Sequence, residues 1–293
     1  MTAATDIRVP GDGLSLAATT WGSTSDPAVV LLHGGGQTRH AWGTAGDVLA
    51  AGGRYAVSVD LRGHGDSEWA TDGDYGMTAF AHDTAAVVAS LSSEPSMPDP
   101  VLVGASLGGL ASLTTIGEGL ARASALVLVD VTPRVEFDGA MRIRDFMAGG
   151  MDGFASLDAA ADAIASFIPN RPRPSDVSGL QKNLRRRDDG RWYWHWDPAF
   201  VSGRGGIDGQ SGLVDHDRLA AAAARVTVPT LLVRGRMSDI VSEEGVQELR
   251  RLVPHAEVVD VAGAGHMVAG DRNDAFNDAV LEFVDRVVPL GDR

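Results

Sequence analysis

The sequence contains no cysteine. That excludes disulfides, thiolate catalysis and cysteine-ligated metal, and it leaves the redox compartment open. Basic residues are scarce beside acidic ones: 25 Lys and Arg stand against 39 Asp and Glu, a net charge of −14. A surface of that sign repels phosphate backbones and anionic lipid, so nucleic acid and membrane are excluded as partners and a small molecule is expected. Long apolar runs are also missing, and no stretch has the length a membrane span requires. The opening MTAATDIRVPGDG has no basic segment followed by an apolar one. No signal peptide is read there, and a cytoplasmic location is expected. No feature of the sequence specifies an oligomeric state.

What is present is a series of short aliphatic and β-branched runs: 28–33, 55–60, 100–105, 125–130, 229–235 and 256–261. Each is apolar on successive residues, as strands buried on both faces of a parallel sheet are. Segments with helical spacing lie between them, at 78–92, 107–121, 242–253 and 274–288. This alternation predicts an α/β fold with a mostly parallel central sheet flanked by helices. Residues 14–20 are expected to add an antiparallel edge strand. The alternation stops after Asp130 and resumes near Val226. The interval 132–225 therefore reads as an inserted helical cap, and 1–131 with 226–293 as the core domain.

Ser106 lies in Gly104-Ala105-Ser106-Leu107-Gly108, a G-x-S-x-G pattern with a strand before it and a helix after it. A serine entering a helix is ordinarily a cap. A sharp strand-to-helix turn would instead expose its hydroxyl at the carboxyl end of the sheet, as a nucleophile. A nucleophilic serine needs a base, and in this sheet architecture the order is serine, acid, histidine. His266, in the Gly-rich segment VAGAGHMVAG after the last strand, fits that order best. His216 lies in a polar helix start, and His255 precedes a strand. Two aspartates could orient the imidazole. Asp239, in RGRMSDIVS after the strand 229–235, is preferred, and Asp130, ending the strand 125–130, is the alternative.

The charge of a tetrahedral intermediate calls for preset donors. The Leu107 amide follows the nucleophile directly, and HGGGQTRHAW (33–42) offers Gly35, with Gly36 as alternative. No Lys-Ser/Thr pair makes that turn a P-loop, and His33 and His40 lack zinc spacing. In the insertion, RWYWHWDP places Trp192, Trp194 and Trp196 on one face of a strand-like stretch, with His195 among them. They either wall a substrate pocket or anchor the cap.

Together these segments resemble the α/β-hydrolase superfamily, in its capped branch of esterases, lactonases, C–C hydrolases and epoxide hydrolases. The resemblance rests on LLHGGG…W, VDLRGHGDS (59–67), GASLGG, GRMSD and GAGH, in that order, and covers about 14–131 and 226–290. It implies a Ser106–His266–Asp239 triad with an oxyanion hole at Gly35 and Leu107, and no cofactor or metal. Epoxide hydrolases of this branch carry aspartate where this chain has Ser106, so acyl transfer from an ester or lactone is the implied chemistry. A C–C hydrolase or a cofactor-free perhydrolase could use the same residues. A non-catalytic small-ligand receptor on this fold is the alternative of another class. GRMSD is one residue longer than the family's G-x-x-D, which bears on the choice of acid.

Overall fold

The computed structural model describes residues 4–91, 98–168, 173–203, 206–207, 214–262 and 273–290. Its centre is an eight-stranded sheet of β1 (Thr5–Pro10), β2 (Ser15–Trp21), β3 (Ala28–Leu32), β4 (Tyr55–Val59), β5 (Val101–Ala105), β6 (Ala125–Val129), β9 (Thr230–Gly235) and β10 (Glu257–Val261). The spatial order is β1-β2-β4-β3-β5-β6-β9-β10. β1 and β2 run antiparallel, and the ladders from β4 through β10 are parallel.

The continuous apolar runs are explained by burial on both faces. Val30, Leu32, Leu102, Leu126, Leu128 and Leu232 face one core with α2 (Met77–Leu91) and α3 (Leu107–Gly117). Val29, Leu31, Val101, Val103, Val127 and Val233 face the other, with α1 (Gly43–Ala51) and the final helix Asn273–Val287. Successive residues of each strand thus enter opposite layers.

Residues 15–21 are not the edge strand. β1 lies outside them, and it escapes a hydrophobicity reading because only Val9 of its six residues is buried. The interval after β6 is also not purely helical. It holds α4 (Phe137–Gly149), α5 (Leu157–Phe167), a hairpin of β7 (Leu184–Arg186) and β8 (Trp192–Trp194), α6 (Ala199–Ser202) and α7 (His216–Ala223). Of these, α7 buries Leu219, Ala222 and Ala223, and Ala222 lies directly against Gly117 at the end of α3. By packing, α7 is continuous with the sheet-bearing body. Among the described residues no helix is long and apolar enough to cross a membrane.

Candidate active site

The parallel strands bring the ends of β3, β5, β6 and β9 to one edge of the sheet. In folds of this kind that carboxyl edge is where a reactive group meets its ligand. Between β5 and α3 the chain turns at Ser106, whose φ of 46° and ψ of −114° lie outside the regions most side chains adopt. The turn is tight because the strand and helix nearly touch: a side-chain carbon at Gly104 would overlap the Gly108 carbonyl. Ser106 occupies the N-cap position of α3, yet its side chain makes no capping hydrogen bond. A strained residue that makes no capping bond fits a nucleophile turn better than a cap.

The turn after β3 abuts the elbow. A side-chain carbon at Gly34 would lie 3.3 Å from Ser106 Cβ, and one at Gly35 would lie 3.9 Å from a Leu107 methyl. Its amides are almost all committed. Gly34 N–H donates to Gln37 Oε1 at 3.0 Å, and Gly36 N–H donates to His64 Nε2 at 3.0 Å. Gln37 N–H and Gly108 N–H donate to the carbonyls of Gly34 (3.1 Å) and His33 (3.2 Å). Gly35 and Leu107 are left with no acceptor for their amides among the described residues. The two donors expected for an oxyanion are therefore the two unused ones, and Gly36, the alternative, is occupied.

Buried His33 and His64 organise this turn. His33 Nδ1 lies 2.8 Å from the Gly34 carbonyl, and its Nε2 accepts from Leu61 N–H at 3.0 Å. A carbonyl can only accept and an amide can only donate, so the ring is neutral with its proton on Nδ1. Because the Gly34 carbonyl and Gly35 N–H belong to one planar peptide, holding the first aims the second the opposite way. Burial pushes His33 down to about 4 and His64 to about 3, so both rings stay uncharged near neutral pH.

The two candidate acids sit in contrasting surroundings. Asp130 is fully buried at the end of β6 with a φ of 48°. Its Oδ1 accepts from Gly235 N–H at 3.0 Å and its Oδ2 from the Ser238 hydroxyl at 2.5 Å. It directly follows Val129, whose carbonyl accepts the Ser106 N–H at 3.1 Å. Asp239, the preferred acid in sequence, turns its carboxylate to Arg142 of α4, and both side chains are partly exposed, at 37% and 53%. In the register of G-x-x-D counted from Gly235, the last position is Ser238. The residue standing where the family's acid would be thus hydrogen-bonds the carboxylate of the neighbouring strand. The extra residue in GRMSD and the aspartate ending the strand 125–130 were the sequence signals of this.

His266 lies outside the described residues. Of the insertion residues, Trp192 lines an open basin of about 510 Å³ with His40, Lys182, Leu184, Arg185 and Arg186. Trp194 packs inside the insertion against Phe146 and Phe154, with ring centroids 5.8 and 5.4 Å away. Trp196 is buried where the insertion meets the body, bridging to His64. The backbone carbonyl of His195 accepts from Gly65 N–H at 2.7 Å. These contacts tie Trp194, His195 and Trp196 into the packing around them.

Comparison with known proteins agrees with this geometry. The model of the alpha/beta hydrolase family matches residues 29–279. The chain is 33% identical to the esterase Rv0045c of Mycobacterium tuberculosis over 278 residues, covering 92% of this chain and 87% of that protein. It is 27% identical to a 2-(acetamidomethylene)succinate hydrolase of Mesorhizobium japonicum, covering 78% of each. A crystal structure of E-2-(acetamidomethylene)succinate hydrolase superposes with a TM-score of 0.83 at 25% identity, covering 97% of this chain and 100% of that one. The chain belongs to the alpha/beta hydrolase family and is a hydrolase.

Proposed function

We propose that this hydrolase cleaves a small or medium carboxylic ester or lactone through an acyl-enzyme. Ser106 is the nucleophile, His266 the base and Asp130 the acid, with the Gly35 and Leu107 amides as oxyanion donors. The insertion 132–225, up to its packing boundary before α7, acts as a cap. His266 removes the proton from Ser106 Oγ as the oxygen attacks the carbonyl carbon. The negative oxygen accepts from the two amides, and the imidazolium then protonates the departing alcohol. Water repeats the sequence on the acyl-enzyme and releases the acid. The reading is carried by one observation: an uncapped, strained Ser106 beside two backbone amides that have no other acceptor among the described residues.

Asp130 is assigned as acid in place of Asp239 on three grounds. It is buried, it is preset by two donors, and it directly follows Val129, whose carbonyl holds the Ser106 N–H. Asp239 is drawn away by Arg142. The relation to the Mycobacterium tuberculosis esterase supports ester chemistry over the C–C and peroxide alternatives. The test is phosphonate labelling beside an assay on esters and lactones of graded chain length. Label should map to Ser106, and Ser106→Ala should lose label and turnover, the latter by on the order of 10⁴-fold or more. Labelling elsewhere rejects the nucleophile. A wild type that binds acyl ligands without turnover makes the protein a receptor.

A further inference from the structure

We propose that His64 is a positioning residue that ties the seating of the cap to the geometry of the oxyanion turn. The inference rests on the assignment of Gly35 as an oxyanion donor.

His64 comes from RGHGDS, the loop after β4, and has no part in the triad. Its ring is fully buried, with Nδ1–H donating to the Arg62 carbonyl at 2.9 Å and Nε2 accepting from Gly36 N–H at 3.0 Å. That second bond holds the Gly35–Gly36 peptide, the plane next to the one His33 holds. Three glycines bring no side chains of their own to restrain either plane, and Gly36 already sits at a φ of 77° that only glycine adopts freely. Without an acceptor for its amide this peptide would be free to rotate, carrying Gly35 with it.

The residues on either side of it are fastened to the segment 195–197 by their backbones. Gly65 N–H donates to the His195 carbonyl at 2.7 Å, and Asp197 N–H donates to the Gly63 carbonyl at 2.8 Å. These bonds make a short antiparallel bridge in which His64 faces Trp196. Asp197 is held in turn by the buried Tyr75 hydroxyl at 2.6 Å. Just beyond, Phe200 lays its ring edge against the His64 ring, with centroids 4.7 Å apart. The same Phe200 ring would meet a side-chain carbon at Gly35 at 3.4 Å. On the other side Met147 of α4 covers Gly36. A shift of the segment 195–200 therefore moves both the ring that accepts the Gly36 amide and the wall against Gly35.

The test compares His64→Leu, which removes the acceptor, with His64→Gln, whose amide oxygen can replace it. Readouts are kcat, KM and the affinity of a trifluoromethyl ketone, which forms the oxyanion on Ser106. His64→Leu should lower kcat by on the order of 10²-fold with KM little changed, and weaken the ketone in parallel. His64→Gln should recover most of both. Equal losses in the two variants, a loss confined to KM, or unchanged kcat in a folded His64→Leu would overturn the proposal. Nitrogen-15 NMR of the wild-type imidazoles serves if the leucine variant does not fold. A His64 protonated on Nδ1 and neutral from pH 5 to 8 is expected, and the other tautomer rejects the role. Failure of the underlying reading is distinguishable, since it appears as absent phosphonate labelling of Ser106 in the wild type.

Discussion

Two turns flank the elbow, one after β3 and one after β9, and they are built from opposite materials. The first, Gly34–Gln37, lies against Met147 and Phe200 and carries no charged side chain. Its polar groups are bound by neutral histidines and by Gln37. The second, Arg236–Val241, is organised around a buried anion. Ser238 donates to Asp130 while accepting from Ile240 and Val241 N–H at 3.1 and 3.2 Å. Its own carboxylate, Asp239, is sent outward to Arg142. The difference follows the charges an acyl transfer would develop. A negative oxygen is stabilised by preset donors with no competing anion nearby, and an imidazolium by a fixed negative partner in a dry site.

The comparison breaks most visibly at the carboxylates. Asp130→Asn should lower turnover by about 10³- to 10⁴-fold, because asparagine keeps the shape but removes the charge and favours the wrong imidazole tautomer. Asp239→Asn should cost less than about threefold, since an exposed ion pair contributes little. Steady-state kinetics on both folded variants decides, and the reverse ranking returns the acid to Asp239.

A finer probe is Ser238→Ala, which leaves Asp130 charged but removes one of its donors. Turnover should fall by roughly tenfold, and unfolding should be easier by about 1 kcal/mol, the worth of one buried hydrogen bond. An Asp130→Asn background in which Ser238→Ala still costs tenfold would separate the hydroxyl from the carboxylate.

The neutrality of the first turn has a thermodynamic signature. His33 and His64 bind protons only near pH 4 and pH 3 when folded, against an ordinary value of 6.5. As pH falls below about 6.5, the unfolded chain takes up those protons first, so stability declines toward acid and is intact above that value. Each histidine steepens the decline by at most about 1.4 kcal/mol per pH unit. Urea unfolding at pH 7, 6 and 5 should show a shallower slope in His64→Gln. An unchanged slope would mean that the ring is not neutral in the native protein.

The sheet was legible in the sequence because its strands are apolar on consecutive residues, which little else produces in runs of five or six. The elbow and the glycine turn were legible because both sit at strand ends. β1 was not, since one buried Val9 makes no pattern. The choice between Asp130 and Asp239 depends on Arg142, a cap residue about a hundred positions away in the chain, and on which carboxylate the Ser238 hydroxyl reaches. The longer spacing in GRMSD hints at the second partner, but nothing in the sequence points to the first. The tryptophans of RWYWHWDP were visible as a cluster, but similar residues took unlike places: Trp192 at an open basin, Trp194 half-buried against Phe146 and Phe154, and Trp196 buried.

The ends of β5 and β6 are joined by the ladder and by the bond from Ser106 N–H to the Val129 carbonyl. The proposed nucleophile and acid therefore sit a single strand spacing apart. An acid at the end of β9 would stand two spacings away, and its position would drift with any splay toward the outer strand β10. With Asp130 in that role, the stretch beyond Ser238 can lengthen, shorten or change its charge without altering the distance between the reacting groups. The loop after β9 is thereby released to vary beyond Ser238, while the inner pair of strands holds the proposed nucleophile and acid.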